Sequence, residues 1–517
     1  MSWQKDIDEI NYRGELARQM GGAERVSKQH AKGRNTVRER IDLLLDKGTF
    51  QEIGTLAGDP VYEVDQLKSF IPSTNITGYG KLQGRPVCVR GEDFTVRSTY
   101  RTTITGNSKS LFIEKMSKEW RLPLIRLLDA PGGDIQKVEA QGYTDVPGCP
   151  GLPTAVALMA EVPVVSVALG SLAGLPAIMS AVSHWNIMTK NSQVFTGGPP
   201  IVKRALAVDI TKEELGNYRI QAFQSGVIDN VAENEEDAFR QVKRFLSYLP
   251  QNVWEQPPHI ESGDDPGRRD EALLSIIPRD RKVLYDIRKL IRHVVDRDST
   301  FELAPFYGPE FVTLFVRMAG NPVAIMANDC KWYGGAQTTA GCEKMMRFID
   351  LADTFHLPLI YFMDVPGFMV GVESEKEGIV RKSARALFAL HQSTVPWVSV
   401  LLRRSHGVAG CGHGDMSRLN LRYAWPSGEF GGFPIEGGVM ALHRREIETA
   451  SDPEAKRIEL ENYVASLRSP IRTAEAFGVS ELIDPRDTRP LLCEFVHRAR
   501  QVTATQLGPK YRCGIRP

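Results

Sequence analysis

The chain repeats itself, and this constrains its fold more than any local pattern does. Gly84-Arg-Pro-Val-Cys-Val returns as Gly320-Asn-Pro-Val-Ala-Ile, 236 residues later. Leu122-Pro-Leu-Ile, followed by Asp129-Ala-Pro-Gly, returns 235 residues later as Leu357-Pro-Leu-Ile, followed by Asp364-Val-Pro-Gly. Val162-Pro-Val-Val-Ser-Val returns as Val395-Pro-Trp-Val-Ser-Val at a spacing of 233. Each copy of this last landmark runs into a glycine-rich stretch, Gly170-Ser-Leu-Ala-Gly-Leu-Pro-Ala or Arg403-Arg-Ser-His-Gly-Val-Ala-Gly-Cys-Gly-His-Gly. Landmarks that keep both order and spacing imply a duplicated domain, and the spacing states its size.

Between the copies lies Leu249-Pro-Gln-Asn-Val-Trp-Glu-Gln-Pro-Pro and then Glu261-Ser-Gly-Asp-Asp-Pro-Gly-Arg-Arg-Asp. Its proline, glycine and charge content reads as a linker, so the domains are expected at 1–260 and 261–517. A hydrophobic content of 42% over 517 residues lets each half bury its own core. Short β-branched runs such as Leu124–Leu128 and Ile360–Met363 alternate with helix-like runs such as Lys376–His391, the pattern of an α/β fold. Thr211-Lys-Glu-Glu214 has the spacing of a capping box and predicts a helix start.

With 64 Lys and Arg against 63 Asp and Glu, no global field argues for nucleic acid or an anionic membrane surface, so an anionic ligand must be held locally. Apolar runs such as Val162–Leu169 are too short to span a membrane, and Met1–Gln19 mixes acids and bases where a secretion signal would be apolar. A soluble, cytoplasmic protein is the expectation. Its 7 scattered cysteines form no CxxC pair, which signals neither disulfides nor zinc.

A strand that ends in a glycine-rich loop and enters a helix aims several backbone N–H groups into one small space. Ala173-Gly-Leu in the first half and Gly407-Val-Ala-Gly in the second occupy equivalent places, so two oxyanion-type sites are expected, one per domain. A single such glycine would commonly serve only a tight turn; duplication favours the oxyanion reading, and two sites suit a transfer between two carbonyl compounds. His406 and His413 flank Cys411, a grouping that admits a metal or thiol reading, but residues lining a pocket are the preferred interpretation and no metal is expected. Asp129 and Asp364 precede Pro-Gly turns, where a carboxylate commonly accepts turn N–H groups.

The sequence resembles the β, or carboxyltransferase, subunits of propionyl-CoA and methylcrotonyl-CoA carboxylases. The resemblance covers most of the chain and includes Thr36-Val-Arg-Glu-Arg-Ile-Asp-Leu-Leu, Gly197-Gly-Pro-Pro-Ile-Val-Lys, Glu213-Glu-Leu-Gly, Ser225-Gly-Val, Asp364-Val-Pro-Gly-Phe, Tyr423-Ala-Trp-Pro and Ile483-Asp-Pro-Arg-Asp-Thr-Arg. It implies two tandem crotonase-like domains, the first on the acyl-CoA side and the second on the carboxybiotin side. One loop would hold a thioester enolate oxygen and the other the ureido oxygen of biotin, with no side chain needed as base.

By position Gly174 and Leu175 fall on the enolate-side donors, and Val408 and Ala409 on the biotin-side donors. Ala130, Gly132, Gly133, Ala173, Gly407, Gly410 and Cys411 fall on the substrate-binding stretches. Where relatives have Gly-Gly-Ala this chain has Gly174-Leu175-Pro176, and Pro176 removes an N–H. Val408 replaces a glycine, Cys411 stands where propionyl-type enzymes have aspartate, Asp134 where an arginine is usual, and Gln221 where relatives often have histidine. No biotin-attachment motif occurs, so the resemblance implies a separate chain carrying biotin, a biotin carboxylase partner and a homohexameric core. Decarboxylation or transcarboxylation on the same scaffold, and a non-catalytic CoA-ester-binding paralogue, are the alternative functions.

Overall fold

The computed structural model describes residues 2–96, 98–132, 138–139, 142–144, 146 and 148–510. It divides into two compact units, Met1–Glu255 together with the chain from Gly508, and Gln256–Leu507. The division after Glu255 falls inside the sequence-expected linker, five residues before the expected boundary at 260.

The first unit is built on a seven-stranded sheet of β1 (Gln51–Ile53), β2 (Asn75–Leu82), β3 (Arg85–Glu92), β4 (Leu124–Leu128), β5 (Val164–Ala168), β6 (Trp185–Thr189) and β7 (Asn230–Ala232), arranged in space in the order of the chain. The second repeats it with β8 (Phe301–Leu303), β9 (Phe311–Met318), β10 (Asn321–Asn328), β11 (Leu359–Val365), β12 (Trp397–His406), β13 (Leu421–Ala424) and β14 (Glu481–Leu482). In each sheet the first two pairings are antiparallel and the remaining four parallel. β4, β5 and β11 are buried along their whole length, as parallel strands covered on both faces must be, which explains their near-continuous apolar sequences.

The first repeated landmark is a hairpin turn. Gln83 and Gly84 have φ of 52° and 81°, and Ala319 and Gly320 have φ of 47° and 78°, so each turn needs two left-handed residues. Asp46 accepts from the N–H groups of Gln83 and Gly84 at 2.9 and 2.7 Å; Asp296 does the same for Ala319 and Gly320 at 3.0 and 2.7 Å.

Helices supply the crossovers. Tyr100–Trp120 joins β3 to β4, capped by Thr99, and Thr339–Thr354 joins β10 to β11, capped by Thr338. The box at Thr211 and Glu214 forms, although its helix runs only from Lys212 to Gly216. The expected Lys376–His391 helix is two helices, Val372–Lys376 and Ile379–Gln392, because Gly378 at φ 81° interrupts it. Among the described residues no helix is long and apolar enough to cross a membrane.

Candidate functional site

Both glycine-rich loops begin the same way. Ser171–Ala173 is a short strand paired in parallel with Gln193–Phe195, and Gly174 follows at φ 62°. In the second unit the last residues of β12, Arg404–His406, pair in parallel with Glu429–Gly431, and Gly407 follows, again at φ 62°. The structural equivalent of Gly174 is thus Gly407, and that of Leu175 is Val408. The sequence-derived donor pairs, Gly174 with Leu175 and Val408 with Ala409, are offset from one another by one residue.

That offset agrees with how the donors are used. The Gly174 N–H donates to the Thr196 carbonyl at 3.0 Å, and its own carbonyl accepts from Ile178 at 3.1 Å. Gly174 is therefore a hinge whose donor is engaged, a correction to the expectation that its N–H faces a ligand. Pro176 has no N–H, so among the described residues the first loop presents the unengaged N–H groups of Leu175 and Ala177. Ala173 donates to the Ala130 carbonyl at 3.4 Å, and a Cβ on Gly132 would lie 2.6 Å from the Ala173 carbonyl oxygen. The fold thus brings Ala130 and Gly132 against Ala173. Gly133 and Asp134 lie outside the described residues.

In the second loop the N–H groups of Val408 and Ala409 open the short Gly407–Gly410 helix and have no acceptor among the described residues. Val408 and Cys411 are exposed, Ala409 and Gly410 buried. The His–Cys–His grouping disperses: His406 is buried with Nε2 3.2 Å from Arg468, His413 lies against Asn420 at 2.9 Å, and Cys411 reaches back to the Gly407 carbonyl. Among the described residues no group of three His, Cys, Asp or Glu side chains could hold a metal ion.

Asp129 and Asp364 anchor the strands under the loops, although among the described residues they accept no turn N–H groups. Asp129 pairs with buried Arg40 at 2.9 Å, and Arg40 also holds Glu235 at 2.8 Å. Asp364 accepts from the Arg404 backbone at 3.1 Å, from both guanidiniums, Arg403 at 2.9 Å and Arg404 at 2.7 Å, and from the Tyr285 hydroxyl at 3.1 Å. Burial opposes ionisation of Asp364, yet the hydrogen bond and charge of Arg404, with those of Arg403, hold its carboxyl below the usual carboxylate range. These partners lie far off in sequence, and a local turn rule could not find them.

A cavity of about 800 Å³ opens in the first unit beside Ala130, Gly132, Leu175 and Pro176. Its wall continues to Arg90, Glu92 and Glu114. Register explains why charge gathers there: Thr77, Arg90, Arg126, Ser166 and Asn186 are successive partners across β2 to β6 and form one polar row. Arg126, fully buried, donates to Glu114 at 3.1 Å and closes on the C-terminal carbonyl of Val182 at 2.5 Å. Burial pushes Glu92 up, against the charge of Arg90 and the Asp129 N–H that donates to it at 2.8 Å. Sequence reasoning passed over this row, although arginine inside Leu124-Ile-Arg-Leu-Leu was a signal that an apolar strand pattern had been broken.

With this geometry established, comparison with known proteins is direct. The carboxyl transferase domain family model matches residues 28–512. The chain is 34% identical to the carboxyltransferase subunit of propionyl-CoA carboxylase from Haloferax mediterranei, over 99% of each chain. It is 32% identical to the α subunit of methylmalonyl-CoA decarboxylase from Veillonella parvula, over 91% of each. A crystal structure of the transcarboxylase 12S hexamer with methylmalonyl-coenzyme A and methylmalonic acid superposes with a TM-score of 0.87 at 30% identity, covering 100% of this chain and 97% of that one. The chain belongs to the carboxyl transferase domain family, among the biotin-dependent acyl-CoA carboxyltransferases. The expected fold, α/β with two tandem crotonase-like domains, agrees with these neighbours and with the two matching sheets.

Proposed function

We propose that this chain is the carboxyltransferase subunit of an acyl-CoA carboxylase, moving a carboxyl group to the α carbon, or the vinylogous γ carbon, of an acyl-CoA. The reading is supported above all by the duplicated loop, in which a glycine at φ 62° follows a parallel-paired strand end in each unit and leaves backbone N–H groups unengaged. On this reading the first unit takes the acyl-CoA: the Leu175 N–H, with that of Ala177, receives the thioester oxygen and steadies it as charge develops during α-proton loss. Fixed backbone donors of this kind lower the barrier by about 3 to 4 kcal/mol each. Ala130 and Gly132 bound the same cavity, with Ala173 packed behind them, and orient the ester.

The second unit takes the carboxybiotin side, where Val408 and Ala409 offer two adjacent donors that fit a single ureido oxygen, and Gly407, Gly410 and Cys411 line the approach. Biotin, carried on a separate chain, supplies the carboxyl group when bound. A biotin carboxylase and biotin-carrier partner, and a homohexameric core like that of the 12S structure, belong to the same reading.

The purified chain, offered free biotin and a panel of malonyl-, methylmalonyl- and methylglutaconyl-CoA, is expected to decarboxylate at least one ester, and only with biotin present. Tight ester binding with no biotin-dependent turnover across the panel would shift the reading to an ester outside the panel or to a non-catalytic role. A second reading, in which the cell runs the reaction as a decarboxylation or transcarboxylation, is favoured by the likeness to the Veillonella decarboxylase subunit. It predicts that the natural holoenzyme turns over carboxyacyl-CoA without ATP.

A further inference from the structure

The cavity beside Leu175 has a wall that an apolar acyl chain would not satisfy. Arg90 is only 8% exposed, and its nearest charges are loose: Glu114 at 3.4 Å and Glu92 at 3.8 Å. Among the described residues its Nε has no hydrogen-bond partner, nor does Oε2 of the equally buried Glu114. Glu114 is otherwise committed to Arg126, and one Glu92 oxygen to the Asp129 N–H, which leaves the Arg90 guanidinium and the second Glu92 oxygen side by side on the wall.

Filling this space with hydrocarbon would strip water from a guanidinium and a carboxyl without replacing their hydrogen bonds, which is unfavourable for any buried polar group and more so where charge is involved. A carboxylate on the chain would meet Arg90 but also face two acidic side chains within 4 Å of that guanidinium. A hydroxyl meets both needs, because it accepts from Arg90 and donates to Glu92.

Resting on the acyl-CoA reading above, we infer that the acyl group taken by this subunit carries a hydroxyl, bound between Arg90 and Glu92, and that these two residues set specificity. Because burial pushes Glu92 up, a neutral partner there costs less than a further charge would. A site built to hydrogen-bond a substrate hydroxyl discriminates strongly against the analogue that lacks it, since its own buried groups are then left unpaired.

The test is calorimetric binding of a ladder from 3-hydroxypropanoyl-CoA to 6-hydroxyhexanoyl-CoA, each rung compared with its deoxy ester and with the ω-carboxy ester of equal length. At one rung the hydroxy ester is expected to bind at least tenfold tighter than both. Arg90→Met, which installs the residue found at the matching register position of the second unit, should bring that ratio to within threefold; Glu92→Gln, which retains an acceptor, should leave an intermediate ratio. Should Arg90→Met fail to fold, the wild-type ladder decides alone. Equal binding of deoxy esters at every rung, or a preference for the carboxy esters, overturns the inference while leaving the CoA reading intact. Failure to bind any CoA ester overturns both.

Discussion

The two sheets share one register and fill its middle with opposite chemistry. Across β2 to β6 the partnered row is Thr77, Arg90, Arg126, Ser166, Asn186; across β9 to β13 it is Thr313, Met326, Tyr361, Ser399, Arg422. The crossover helix follows suit: Glu114 and Ile349 each stand eight residues before the Leu-Pro landmark of their half. An Arg–Glu–Arg triad in one unit is a Met–Ile–Tyr cluster in the other, where Met326 and Ile349 are fully buried and Tyr361 nearly so, its hydroxyl donating to Asn328 at 2.9 Å. The backbone tolerates both. The lesson is that the fold does not require the charges, so their presence beside the cavity points to a ligand rather than to stability.

The comparison can be broken most forcefully at Glu114. Glu114→Ala leaves two buried guanidiniums without their shared carboxylate and should destabilise the chain by about 3–5 kcal/mol, read from the urea unfolding midpoint. Replacing the whole triad with its counterpart, Arg90→Met with Glu114→Ile and Arg126→Tyr, should instead be neutral or stabilising by about 1–4 kcal/mol. If the triple exchange proves as damaging as the single one, the two rows are not interchangeable and the lesson above is wrong.

At the loops, Gly407→Ala and Gly174→Ala each place a Cβ at φ 62°. Each should cost about 1–3 kcal/mol of local strain and lower free-biotin decarboxylation by about tenfold or more, while circular dichroism stays unchanged. Equal losses from the two would confirm that the loops do equivalent work.

Acid separates the two units in sign. Asp364 has a depressed pKa when folded, so its stabilising contribution is complete above its unfolded value near 3.9 and is lost as pH falls through the lower, folded value. Glu92 is the reverse. Its raised pKa means a penalty that is full above the folded value, is relieved as pH falls from there, and is gone below the unfolded value near 4.3. Glu92→Gln should therefore raise the thermal midpoint at pH 7 and lose that advantage by about pH 4. A constant advantage across this range would deny the shift. The smallest effect is expected from Val408→Gly, which keeps the backbone donor: turnover should change by less than about threefold, whereas a large gain would mean that the side chain obstructs the loop.

Much of this was legible in the sequence because it is repeated or local. The strands around Leu124 and Ile360, the hairpins at Gly84 and Gly320, and the two loops are each carried by contiguous residues that appear twice. What escaped depends on partners distant along the chain. Gly174 reads as a donor because Thr196, which engages it, lies beyond an intervening helix and two strands. Asp129 was read as a turn acceptor because its partner, Arg40, is 89 residues away. Arg126 alone breaks an apolar strand pattern, but the row itself is not legible, because Arg90 and Arg126 become neighbours only when β3 and β4 pair, a register that spacing alone does not give.

One closing contact has a bearing on synthesis. The Gly508 N–H donates to the Val253 carbonyl at 2.7 Å, and the chain from Gly508 groups with the first unit. Strands that pair in the order they are made let that unit gather its sheet as it emerges from the ribosome. Yet this strap is encoded after the whole of the second unit, so the half that begins folding first is also the half that is latched last.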